Sequence, residues 1–316
     1  MEKENNTIVI TYLEMIREAG RQLNLRKKTL AWRSLFIIWP AMIAFILLFY
    51  FARLGGREFL ERHQDYLLPA VIGFFIWIFF TIFYYIIVTS IFAIEKRIWL
   101  DSFFDQKNLN PKDSWHIAKK LFWTVLVVWL QMLLRFYFLP FMFYSTFVAA
   151  YIYFGANLSQ QIPPVASILI VSGGLLALII YFYYLKIRLR FLWFIFLDRY
   201  KTEGFSHSLI FQEMKKLNEI SKSETFKKAL LANLGADSLG AITNAMIKEL
   251  KAGLSVLGKG GELAGGLIGA FAEEASKQAI SLGKIAAIYV LYRYARQLSY
   301  NQPQTINENI YNLLST

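Results

Sequence analysis

Two aspartates, Asp101 and Asp105, stand four residues apart in the stretch Trp99-Leu-Asp-Ser-Phe-Phe-Asp105. On a helix they would share a face, and paired carboxylates there would suit a divalent cation at a lipid surface. The flanking Trp99, Leu100, Phe103 and Phe104 favour a plainer reading, an amphipathic helix in the headgroup layer. The stretch from Gly253 through Gly258 and Lys259 satisfies the G-x-x-x-x-G-K half of a phosphate-binding loop. It then places Gly260 where a serine or threonine would hold magnesium, and it follows a helical pattern where a strand is required. His63, His116 and His207 lie in separate polar segments and the chain has no cysteine, so neither a zinc site nor a thiol nucleophile is expected. The G-x-S-x-G pattern of serine hydrolases is missing. No catalytic, cofactor-binding or metal-ligating residue is assigned, and the chain is read as non-enzymatic.

Three other features carry physical meaning. Arg135 interrupts a long apolar stretch, and a charge inside a membrane is functional by default unless it snorkels to an interface. Lys186, Arg188 and Arg190 recur at every second position where an apolar run ends. They read as an anchor and as candidates for lipid phosphates. Gly261, Gly265 and Gly269 recur every four residues, which places them on one helix face where a neighbouring backbone can approach closely.

The elements that position these residues follow from composition. Of 316 residues, 56% are apolar, 17% aromatic and only 18% charged, against about 25% charged in ordinary globular domains. This excludes disorder, collagen, a charged coiled coil and a disulfide scaffold. Uncharged runs of 19, 29 and 50 residues separate Arg33 from Arg53, Asp65 from Glu95, and Arg135 from Lys186. A helix needs about 20 apolar residues to cross the hydrocarbon core. The third run holds a turn sequence at 155–164, so it gives two spans, about 121–154 and 165–185. The first of these is too long and contains Pro140, which predicts a bent, tilted span or two half-spans meeting near the proline.

The expectation is an all-α polytopic membrane helix bundle with four spans, rising to six if the C-terminal region also crosses. Lysine plus arginine counts of 7 in residues 1–33, 3 in 53–65, 6 in 95–120, 0 in the turn 155–164 and 10 in 186–228 alternate along the chain. They place the N-terminus in the cytoplasm of a plasma membrane. The net charge of +12 then marks faces against anionic headgroups, and its scatter over span ends argues against nucleic acid. Residues 1–32 read as a cytoplasmic amphipathic helix lying on the membrane surface or packing on the protein. Val9, Leu13, Ile16 and Leu23 would form its apolar face. Residues 33–190 hold the spans, 191–228 an amphipathic basic segment, 229–298 a Gly/Ala-rich helical region, and 299–316 a polar tail. In the region 229–298 the longest uncharged runs reach ten residues, too short for a lipid-facing span.

A basic N-terminus, two spans joined by an uncharged turn, the exit Arg188-Leu-Arg-Phe191, Asp198, Ser206, Ser208 and Lys215-Lys216, and the ending Leu291-Tyr-Arg-Tyr-Ala-Arg296 carry a resemblance. The chain resembles a bacterial family of six-helix membrane proteins related to the membrane domain of some glycerophosphodiester phosphodiesterases. The resemblance implies a six-span integral protein and supplies no catalytic residue. The expected function is a scaffold or assembly component, with the glycine-patterned helices self-associating as a homo-oligomer or binding a membrane-protein partner. The alternative is a channel or transporter for a solute or lipid.

Overall fold

The computed structural model describes residues 12–53, 67–100, 110–158, 164–200, 207–220 and 224–301, together with 58 and 62. The described residues contain helices and turns and no strand. In chain order the helices are α1 (Tyr12–Arg53), α2 (Leu67–Ile98), α3 (Pro111–Met132), α4 (Leu139–Leu158), α5 (Pro164–Arg188), α6 (Leu192–Tyr200), α7 (His207–Ile220), α8 (Glu224–Ser255) and α9 (Lys259–Asn301). A π-helical segment, Leu133–Phe138, joins α3 to α4 without a break. Four helical stretches are long and apolar enough to cross a membrane: Tyr12–Phe51, Leu68–Ile98, Pro111–Tyr153 and Ile168–Arg199. The all-α bundle with four apolar spans is thus the architecture of the chain.

The burial pattern is inverted relative to a protein solvated by water. Phe75, Phe79, Phe80 and Phe143 are 61–76% exposed. Glu95 and Lys96, by contrast, are 0% and 2% exposed. Apolar side chains face outward because hydrocarbon receives them, and polar groups turn inward because hydrocarbon cannot hydrogen-bond them.

The chain divides into two compact units. The first combines residues 1–119 with 230–294, and the second combines 120–229 with 295–316. In the first unit, α1 corrects an expectation. The N-terminal amphipathic segment is continuous with the first span, in one helix of 42 residues. At 1.5 Å per residue it is about 63 Å long, twice the hydrocarbon thickness. Its buried face is Met15, Gln22 and Leu30, whereas Leu13 and Ile16 are exposed. Spacings of seven and eight keep this face turned toward one partner surface along two full turns each. Tyr12, Met15, Ala19 and Leu23 meet α8 and α9 residues such as Leu231, Ala279 and Gly283 around an apolar cavity of about 480 Å³. The segment therefore packs on the protein.

In the second unit, the expected bend before Pro140 is a π-helical turn that contains Arg135. A proline lacks the N–H that would bond the carbonyl four residues earlier. For Pro140 that carbonyl belongs to Phe136, and the Tyr181 hydroxyl of α5 donates to it at 3.5 Å. The α4–α5 pair is further held by Tyr144, whose hydroxyl donates to the Val171 carbonyl at 2.9 Å. Its ring lies so close over Gly174 that a Cβ there would come within 2.9 Å of it. The segment after 191 also differs from expectation. α6 is almost wholly buried, through Leu192, Phe194, Ile195, Phe196 and Leu197. Only α7 is amphipathic, burying Ile210, Met214 and Leu217. Asp198 and Glu213 both accept from Arg296, at 2.8 and 2.9 Å, and Glu213 also accepts from Arg199 at 2.7 Å.

The first unit repeats the proline device. Pro40 lies inside α1 and frees the Phe36 carbonyl, to which Tyr84 of α2 donates its hydroxyl at 2.7 Å. Tyr84 in turn accepts from the Trp39 indole at 3.0 Å. Two proline-containing spans are thus each mended by a tyrosine from the next span. Tyr84→Phe is expected to cost about 1–3 kcal/mol, the penalty of an acceptor left without a partner where lipid supplies none. In a Pro40→Ala background, where the helix satisfies its own carbonyl, the same change should cost much less. Thermal unfolding of the four variants in detergent measures this, and equal losses in both backgrounds would contradict the pairing.

Candidate functional site

α8 and α9 form an antiparallel hairpin. Its turn, at Val256 to Gly258, closes with Gly258 in the left-handed conformation at φ +78°, which only glycine adopts without strain. The phosphate-loop-like stretch is therefore the end of one helix, a tight turn and the start of the next. The three glycines sit where α9 leaves this turn. A Cβ on Gly261 would fall on the Leu254 carbonyl, and one on Gly265 would approach the Leu254 Cβ to 3.1 Å. One on Gly269 would meet the Lys251 side chain. The small face is thus occupied inside the chain by α8, and it lets the two helices approach closely.

Gly266, beside this row, faces elsewhere. A Cβ on Gly266 would come within 2.9 Å of the Phe45 ring of α1. Phe45 lies twelve residues past Arg33 along the first uncharged run, about 18 Å deeper by helical rise. Arg33 and Glu95 form an ion pair at 3.0 Å, which puts the charged ends of α1 and α2 at one level. Tyr85 of α2 lies ten residues before Glu95, about 15 Å deeper. Its hydroxyl contacts Glu274 of α9 at 3.4 Å and accepts from Lys277 at 2.5 Å. The first half of α9 therefore lies alongside α1 and α2.

A line of polar groups follows from this docking. At the charged level, Glu95 is 0% exposed and receives both Arg33 Nε and Nη2, at 3.0 and 3.1 Å, and the Ser114 hydroxyl at 2.7 Å. Ser114 also accepts from the Trp99 indole at 3.1 Å, and Arg33 stacks over the Trp115 ring at 4.1 Å. Beside this pair, Lys96 donates to Gln278 Oε1 at 2.8 Å and to the Ser281 hydroxyl at 2.7 Å. Gln278 donates to Glu274 at 2.5 Å, which leads on to Tyr85 and Lys277. Nearer the hairpin turn Lys251 pairs with Glu273 at 3.3 Å, and at the opposite end Lys284 pairs with Asp237 at 3.9 Å. Chemically, this is a chain of alternating donors and acceptors with a buried carboxylate in its middle. It can hold a proton or replace part of an ion's hydration.

The second unit holds a basic cleft of about 530 Å³ at the end of α5, lined by Arg188, Arg190, Lys215 and Asn218 among others. Two of the three predicted basic residues meet there. Lys186 does not line it and stands over the Tyr183 ring at 5.3 Å. Arg135 belongs to the π-helical segment. Asp101, Asp105 and His63 lie outside the described residues, and His116 is exposed. Among the described residues no cluster of His, Asp and Glu suits a metal ion. The polar line through Glu95, Lys96, Glu274 and Gln278 was not singled out from sequence. The charges were visible, but only docking brings residues 182 positions apart into contact.

The glycine row gives a graded prediction. Gly261→Ala meets a backbone oxygen and should destabilise by about 1–3 kcal/mol. Gly269→Ala meets only a flexible lysine and should cost less, and Gly260→Ala, with nothing within 4 Å, should be tolerated. Melting temperatures in detergent rank the three. Compared with known proteins, the chain matches no family model, and neither a curated protein nor a solved structure resembles it.

Proposed function

We propose that the protein is a non-enzymatic channel or transporter of the plasma membrane that moves a small polar solute or ion. Its N-terminus lies in the cytoplasm, and α8 and α9 complete the bundle as a polar fifth and sixth span. The observation that carries this reading is Glu274. It is a 6% exposed carboxylate bound to Gln278 and to Tyr85, which lies about halfway along the α2 span. Burying ionisable groups at membrane depth is costly, and they persist where they serve a path for protons, ions or polar cargo. The lysine and arginine distribution supports the orientation, since positive charge stays on the cytoplasmic side.

A second reading, assembly with further copies of the chain, is favoured by a separate observation. Lys248, Glu249 and Glu262 are exposed on the α8–α9 hairpin, which in this reading stands at membrane depth. Lipid cannot solvate them, so water or another protein surface must cover them. The two readings are compatible, because a lumen shared between copies would supply that water.

Flux from liposomes tests the first reading. Full-length protein should release H⁺, K⁺ or Cl⁻ gradients faster than empty liposomes, and Glu274→Ala should cut that flux about tenfold or more, with Glu274→Gln showing whether ionisation matters. Flux equal to that of empty liposomes for all three ions would count against a path for simple ions. Unchanged flux in Glu274→Ala would remove this carboxylate from the path.

A further inference from the structure

The cleft in the second unit has the makings of a phosphate site, independent of any conduction path. Arg190 is only 8% exposed, although it is a permanent cation. Its Nη1 donates to the Ile187 carbonyl at 3.0 Å and its Nη2 to the Thr225 hydroxyl at 2.6 Å. The guanidinium stacks over the Phe191 ring at 4.4 Å. These contacts fix its plane, yet its buried Nε–H has no hydrogen-bond partner among the described residues. Unpaired buried donors are costly and call for an acceptor.

The rest of the cleft fits that acceptor. Arg188 and Lys215 line it with Arg190, and Glu219 is the one carboxylate among its described lining residues. Three cations against one anion leave a net charge of +2. Arg188 is positioned by a hydrogen bond from Nη1 to the Tyr184 hydroxyl at 3.2 Å, and its carbonyl accepts from Asn218 Nδ2 at 2.8 Å. The latter bond ties α7 to the end of α5. The Oδ1 of Asn218 is itself buried and has no partner among the described residues, so the cleft offers an acceptor for a hydroxyl beside its donors. Tyr184 and Phe226, with ring centroids 6.1 Å apart, give it an apolar wall. All of this sits where the uncharged run ends at Lys186, the level at which phospholipid headgroups lie.

We infer that this cleft binds the phosphate of an anionic phospholipid, with Arg190 and Arg188 on the phosphate oxygens, Lys215 completing the charge, and Asn218 Oδ1 accepting from a headgroup hydroxyl. A phosphomonoester such as phosphatidic acid is the best match, since its charge of up to about −2 equals that of the cleft with opposite sign. Guanidinium groups bind phosphate oxygens in pairs, which favours this chemistry over a carboxylate-only headgroup.

The test titrates purified full-length protein in detergent with short-chain phosphatidic acid, short-chain phosphatidylcholine and inorganic phosphate. Melting temperature and native mass spectrometry provide the readouts. Phosphatidic acid should raise the melting temperature and leave a retained adduct at concentrations where phosphatidylcholine does neither. Arg190→Ala alone is uninformative if it misfolds, so the deciding variant is Arg188→Gln with Lys215→Gln, which leaves the buried arginine in place. This pair should weaken phosphatidic acid binding at least tenfold, while Lys27→Gln with Lys28→Gln, an equal loss of charge elsewhere, should not. Equal binding of the two lipids, or undiminished binding in the cleft variant, would overturn the site. A stabilisation by inorganic phosphate as large as that by phosphatidic acid would overturn the lipid assignment.

Discussion

Hydrocarbon offers no hydrogen bond, and each backbone or side-chain polar group placed in it must find a partner within the protein. This constraint organises both units. Long helices close their own ladders, and their outer faces carry phenylalanine, isoleucine and leucine because nothing there penalises exposure. The two prolines show the constraint at a single atom. Each proline leaves one carbonyl open, at Phe36 and Phe136, and each opening is met by a tyrosine hydroxyl from the following span. A proline kink in water would need no such repair, since solvent would supply the donor.

The same constraint explains the C-terminal hairpin. Its charges would be unremarkable on a soluble helix. Beside α1 and α2 some of them are paired within the chain, Lys251 with Glu273 and Lys284 with Asp237, while Lys96 of α2 binds Gln278 and Ser281 of α9. The glycines make this possible by letting α9 approach α8 and Phe45 closely enough for short side chains to reach. Each glycine carries a helix-propensity cost of up to about 1 kcal/mol, which close packing at Gly261 and Gly265 offsets. Close packing and internal polar pairing are therefore one device, the means by which a partly charged hairpin is held against apolar spans.

Ion pairs in the second unit follow a different logic. Arg296, Asp198, Glu213 and Arg199 form a network around α6 and α7, with both arginines still partly exposed. Such a network fixes the register of the C-terminal end of α9 on α6 and α7 rather than adding much stability. Asp198 and Arg296 were both noted in the sequence for a family resemblance. Their contact gives those two positions a structural role whatever the ancestry of the chain.

From residues alone, the solvent of the chain was legible. Uncharged runs between Arg33 and Arg53, Asp65 and Glu95, and Arg135 and Lys186 set four spans, because span length is a local property of charge spacing. The glycine row and the basic triplet were legible for the same reason, as short-range periodicities. What covers them was not. That Gly261 faces Leu254, that Met15 and Gln22 are buried while Leu13 and Ile16 are exposed, and that Arg190 leads into a cleft while Lys186 stands outside it are outcomes of packing. The buried line from Glu95 to Glu274 depends on contacts between positions about 180 apart, and no local pattern encodes that distance. Hydrophobicity and charge spacing are written along the chain, but hydrogen-bond partners across helices are fixed only when the helices dock.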